Sequence, residues 1–120
     1  MTGAGAAGGR SRVTTHVLDA ATGRPAAGVW AELEQRSGKQ WGAVASGRTD
    51  VDGRIAAFGP VDLEPGVYRV RFDTGSYFAA QQVAGFYPEV TVVFSVTDAD
   101  AHYHVPLLLS PYAYSTYRGS

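Results

Sequence analysis

The sequence predicts an all-β protein, an antiparallel β-sandwich of about eight strands with one short helix. Three observations carry that prediction. Apolar and polar residues alternate with a period of two through most of the chain, as from Val29 to Gln35 and from Gly66 to Phe72. Turn chemistry recurs roughly every ten positions. A single stretch, Thr74 to Val83, drops the alternation and follows a residue suited to capping a helix.

Strands are expected at 13–18, 29–35, 39–48, 54–58, 66–72, 89–96, 103–109 and 113–117. In the first, His16 and Leu18 share a face. Thr22-Gly23-Arg24-Pro25 then reads as a turn. In the second, Val29, Ala31 and Leu33 alternate with Glu32, Glu34 and Arg36, which predicts a solvated face for the charged set. Ser37-Gly38 joins the second strand to the third, and Asp50-Val51-Asp52-Gly53 delivers Arg54 to the mouth of the fourth. Glu64-Pro65-Gly66 precedes the fifth. A two-turn helix is expected next, capped by Asp73 or Thr74 and ended before Gly85 and Pro88.

The seventh strand carries Tyr103, Val105, Leu107 and Leu109 on one face and His104, Pro106 and Leu108 on the other. Both faces are largely apolar, so something covers the outer one, and a second copy of the chain is the economical cover. Pro106 has no amide hydrogen, which predicts an edge position or a missing donor turned away from any neighbour. After the Ser110-Pro111 turn, Ser115 and Tyr117 share a face of the last strand. The tail Tyr117-Arg118-Gly119-Ser120 offers an aromatic ring, a guanidinium and a hydroxyl beside a free carboxylate, and is expected to place groups in a site.

The chain has 120 residues, 45% hydrophobic and 18% charged, which suits one globular domain over 12–120. Residues 1–11 are mostly Gly and Ala and read as a flexible leader; the G-x-G-x-x-G match at Gly3 to Gly8 follows no strand and carries no mechanism. A net charge of -1 argues against nucleic acid as partner. No apolar run approaches the ~20 residues of a membrane span. With no cysteine there is neither a disulfide framework nor a thiolate metal site.

Of three histidines, two lie in His102-Tyr103-His104, where an i, i+2 pair could grip a metal with His16 as third ligand. No carboxylate beside the pair orients the imidazoles, and the metal-free reading is preferred. Asp50-Val51-Asp52-Gly53 resembles the start of a calcium loop but lacks the remaining ligands, so it reads as a tight turn.

Thr15-His16-Val17-Leu18-Asp19, Gly23-Arg24-Pro25-Ala26, Thr49-Asp50-Val51-Asp52-Gly53-Arg54 and the segment from His102 to Ser120 together resemble the transthyretin-like 5-hydroxyisourate hydrolases. The resemblance implies the transthyretin (prealbumin) fold and hydrolysis of 5-hydroxyisourate, a purine-derived small molecule, in urate degradation. It implies catalytic roles for His16, Arg54, His104 and Ser120, substrate binding by His16, Arg54 and Tyr117, a secondary place for His102, and neither cofactor nor metal. It further implies a homotetramer, a dimer of dimers with sites at the subunit interface, and a cytoplasmic location is the default in the absence of a Ser-Lys-Leu ending. The same fold serves transthyretin, a thyroid-hormone carrier. A transthyretin-like carrier without catalysis is thus the alternative, although transthyretin has lysine, glutamate and threonine where this chain has His16, Arg54 and His104.

Overall fold

The computed structural model describes residues 11–120. The expected leader and its glycine motif lie outside the described residues, except for Ser11. That residue belongs to the domain instead: it is buried, and its hydroxyl donates to the Gly59 carbonyl at 3.1 Å.

In chain order the elements are β1 (Val13–Asp19), β2 (Arg24–Pro25), β3 (Trp30–Ser37), β4 (Gln40–Arg48), β5 (Arg54–Ile55), β6 (Gly66–Phe72), α1 (Thr74–Ala80), β7 (Val90–Val96), β8 (Tyr103–Ser110) and β9 (Ala113–Thr116). One sheet runs β9-β8-β1-β2, with β5 also paired to β1, and the other runs β4-β3-β6-β7. Their inner faces supply the core that the alternation marks: Val13 and Val17 of β1, Leu33 of β3, Val70 and Phe72 of β6, and Leu107 and Leu109 of β8. Removing each such side chain from water contributes about 1.5–3 kcal/mol, the dominant favourable term in closing the sandwich.

Three local expectations need correction. The fold is not wholly antiparallel: β1 and β8 run parallel, with Thr14 opposite His104 and His16 opposite Pro106. Parallel neighbours need a long crossover, and here most of the domain is that crossover. Residues Arg24 and Pro25, read as part of a turn, form a short strand against Asp19 and Leu18. Finally, Glu34 is not simply solvated, because Arg69 Nε donates to its Oε1 at 2.7 Å while the same guanidinium lies 4.2 Å from the Trp41 ring centroid.

The helix forms where the alternation lapses. Asp73 caps it, accepting from the Ser76 amide at 3.1 Å, and Tyr77 reaches back to donate to Asp19 Oδ2 at 2.8 Å. That bond ties the helix to the end of β1, away from the histidines.

Pro106 lies in an interior strand, since β8 has β1 on one side and β9 on the other. The β8–β9 ladder ends at the pair Thr116 and Leu107, one step before Pro106 would have to donate. There the Thr116 hydroxyl donates to the Pro106 carbonyl at 2.7 Å, so a side chain takes over on that edge.

Candidate active site

The tail continues past that interruption without changing register. Carrying the pairing beyond Thr116 sets Tyr117 opposite Pro106, Arg118 opposite Val105 and Gly119 opposite His104, and the last is an observed bridge. The Gly119 amide donates to the His104 carbonyl at 2.9 Å. Arg118 turns to the other face, its guanidinium 4.7 Å from the Tyr103 ring centroid. The tail is thus held at Thr116, Arg118 and Gly119, and Ser120 is left beside the histidines.

Gly119 is required by space. A Cβ at this position would run into the His104 imidazole, with the ring Cγ at 3.0 Å. Gly119→Ala is therefore expected to displace either the ring or Ser120 and to lower activity roughly tenfold or more, with little change in melting temperature. Activity equal to the native protein, in a variant with the same melting temperature, would show that the close approach is unimportant.

Arg54 is placed by the Asp50-to-Gly53 turn. Asp50 Oδ1 accepts from the Arg54 amide at 3.0 Å and from the Asp52 amide at 2.9 Å, and the Asp50 amide donates to the Arg54 carbonyl at 3.0 Å. The bond from the Arg54 amide is the main reason the Asp50 carboxyl sits below its ordinary value, with smaller help from the Asp52 amide and the charges of Arg54 and His16 outweighing burial. Gly53 adopts a φ of +76°, and a Cβ there would meet the Val17 carbonyl, so glycine lets the turn close on β1. The result is direct pairing of His16 with Arg54 across β1 and β5. Opposite residues in such a pair stand roughly 4.5–5.5 Å apart at Cβ, close enough to act on one small ligand.

These elements enclose a cavity of about 240 Å³ lined by Thr14, Arg54, His102, His104 and Ser120, among others. His104, Arg54 and Ser120 are brought together in it. His16 adjoins it, paired with Arg54 and next to Pro106. Tyr117 does not line it; this 60% exposed ring borders a neighbouring groove of about 330 Å³ that also touches His104 and Phe94. A larger and shallower cavity of about 780 Å³ lies by α1, between Trp30, Arg48 and Tyr77. It has no histidine and no hydrolytic pairing of groups, so size alone does not mark the site.

Sequence reasoning missed Thr14, which stands between His104 and His102. Thr14 Oγ1 lies 2.8 Å from His104 Nδ1 and 3.2 Å from His102 Nε2. Period two puts Thr14 on the His16 face, but only the parallel register reveals that it faces His104. Among the described residues, no three His, Cys, Asp or Glu side chains converge as metal ligands.

Burial and electrostatic repulsion from His102, His16 and Arg54 push His104 below the ordinary histidine value of 6.5, while hydrogen bonding to Thr14 works weakly the other way. A lowered value keeps the ring neutral at neutral pH, as a general base requires. If His104 is the base, activity is retained just below pH 6.5 and lost only as pH falls through the lowered value. The acid limb of kcat/KM in the free enzyme checks this, and a midpoint at or above 6.5 would contradict it.

Two facing sheets with a histidine–arginine cavity on one outer face define a transthyretin-like β-sandwich. The model of the HIUase/Transthyretin family matches residues 13–119, and the chain belongs to that family. It is 49% identical over 115 residues to the 5-hydroxyisourate hydrolase of Salmonella dublin, covering 95% of this chain and 85% of the relative. It is 43% identical over 113 residues to the 5-hydroxyisourate hydrolase of Mus musculus, covering 92% and 96%. The solved Klebsiella pneumoniae 5-hydroxyisourate hydrolase superposes with a TM-score of 0.81 at 35% identity, over 90% of this chain and 98% of the other. Sea bream transthyretin in complex with thyroxine superposes with a TM-score of 0.85 at 34% identity, over 91% and 95%. The backbone is therefore common to hydrolase and carrier, and the side chains must decide between them.

Proposed function

We propose that this protein hydrolyses 5-hydroxyisourate to 2-oxo-4-hydroxy-4-carboxy-5-ureidoimidazoline, a step of urate degradation, with no metal or cofactor. The observation that carries the reading is the cavity shared by His104, Arg54 and Ser120, with His16 adjoining through Arg54. Relatives named as hydrolases in bacteria and mouse support the substrate.

The chemistry needs a base, a cation and shape. His104 takes a proton from water as the water oxygen adds to a ring amide carbonyl. Arg54 holds the carbonyl oxygen and stabilises the negative charge that develops on it, its planar fork suiting a flat ring with several oxygens. When the tetrahedral adduct collapses, the carbon–nitrogen bond breaks and the ring nitrogen leaves with the proton that His104 took. One water is consumed, the six-membered ring opens and a carboxylate forms. His16 orients the ring beside Arg54, and Ser120 closes one wall.

The reading includes a homotetramer, a dimer of dimers, with sites at the subunit interface. The outer face of β1 and β8 carries Leu18, Pro106 and Leu108 around the histidines, an apolar surface that a second copy would cover. No helix among the described residues is long and apolar enough to cross a membrane, and the enzyme is proposed to act in the cytoplasm on a dissolved substrate.

The carrier reading is favoured by one observation, the close superposition on sea bream transthyretin. Product formation separates the two. Carbon-13-labelled urate treated with urate oxidase should yield the ring-opened carboxylate faster when this protein is added. Binding of the intermediate without faster appearance of the carboxylate signal would favour the carrier.

A further inference from the structure

A chain of polar groups runs behind His104, and the hydrolytic step above makes no use of it. Thr14 Oγ1 stands between His104 Nδ1, at 2.8 Å, and His102 Nε2, at 3.2 Å. The two imidazoles lie nearly parallel, with 10° between planes and centroids 6.5 Å apart. Thr14 is the register partner of His104, and its branched Cβ leaves the hydroxyl few positions to occupy.

A hydroxyl has one hydrogen to give and lone pairs to accept with. Between two neutral imidazoles it donates to one and accepts from the other, and because the bonded atoms are Nδ1 of His104 and Nε2 of His102, both rings must hold the same tautomer. In one arrangement His104 Nδ1–H donates to Thr14 and the Thr14 O–H donates to His102 Nε2. That leaves His104 Nε2 bare and ready to accept a proton. In the other arrangement every bond is reversed and His104 Nε2 carries hydrogen.

We propose that Thr14 and His102 form a proton relay behind His104, an inference that rests on the hydrolase reading. As His104 Nε2 takes the proton of water, Nδ1 passes its proton to Thr14 Oγ1, Thr14 passes its own to His102 Nε2, and His102 releases one from Nδ1 to solvent. When the leaving nitrogen takes the Nε2 proton, each transfer reverses and His102 regains a proton from solvent. His102 is exposed, as a proton exit requires.

The advantage is electrostatic. An imidazolium at His104 would face Arg54 on β5, His16 on β1 and His102 on its own chain segment, all of which disfavour it. Asp50 lies behind Arg54, with its carboxylate occupied by the turn amides. The relay lets His104 stay neutral and carries the charge out to an exposed ring. Thr14 and His102 are in this account positioning and relay residues, since neither touches the reacting carbon.

The test compares the native protein with Thr14→Val, which keeps the branched shape and removes the hydroxyl, and with Thr14→Ser, which restores it. Thr14→Val is expected to lower kcat about tenfold or more with KM within about twofold, and Thr14→Ser to recover most of the loss. In mixtures of H2O and D2O, kcat should fall along a bowed line for the native protein and a straight one for Thr14→Val. Nitrogen-15 spectra of the histidines, taken without substrate, should show a defined His104 tautomer that becomes mixed in Thr14→Val. A folded Thr14→Val with native kcat, the same isotope curve and the same tautomer would overturn the relay. Should Thr14→Val not fold, His102→Gln on the exposed side chain tests the other end, with a straightened isotope curve expected and a native one contrary. A native protein that does not accelerate hydrolysis would instead overturn the hydrolase reading, while the nitrogen spectra still decide whether Thr14 sets the tautomer.

Discussion

His104→Ala is expected to lower kcat for 5-hydroxyisourate by ~10²–10⁴, the usual worth of a positioned general base. The site retains Arg54 and Ser120 in this variant, so substrate should still bind, and KM should change far less than kcat. The fold should survive. His104 lies on the outer face of β8, while the row that packs the core is Tyr103, Val105, Leu107 and Leu109. Steady-state kinetics with a melting curve check both halves of the claim. A folded His104→Ala with native turnover would remove His104 from the chemistry and move the base to His16.

Arg54→Ala is expected to cost a comparable ~10²–10⁴ in kcat/KM, since it removes the cation proposed to stabilise the developing oxyanion. A second consequence sets it apart from a mere loss of binding. The Arg54 charge is one of the influences that hold His104 below 6.5, so the acid limb of the residual activity should move upward. Side-chain truncation leaves the turn intact, because Asp50 holds Arg54 through its backbone amide. Reduced activity with an unmoved acid limb would separate Arg54 from His104, and native activity would remove Arg54 from the site.

The fold was largely legible because two short-range signals dominate it. Alternation marks Val13, Val17, Val70, Leu107 and Leu109 as inner-facing without reference to any partner, and the lapse after Asp73 marks the helix. The parallel pairing of β1 with β8 was not legible, since it joins residues some ninety positions apart and period two is the same for either direction. The setting of Pro106 was not legible for the same reason: the β8–β9 ladder breaks beside it and the Thr116 hydroxyl donates to its carbonyl, a neighbour fixed by tertiary register. At the site, His16, Arg54, His104 and Ser120 were marked by the family resemblance. Thr14 did not, because a threonine in a strand is ordinary until the register puts it against an imidazole.

Turnover of the unstable substrate is read from the ultraviolet decay of 5-hydroxyisourate generated from urate by urate oxidase. The rate is compared with and without this protein, since the compound also decays by itself. Acceleration in proportion to protein concentration, undiminished by a chelator, is expected. A decay rate unchanged by folded protein would contradict the hydrolase reading and leave a binding protein on a hydrolase backbone.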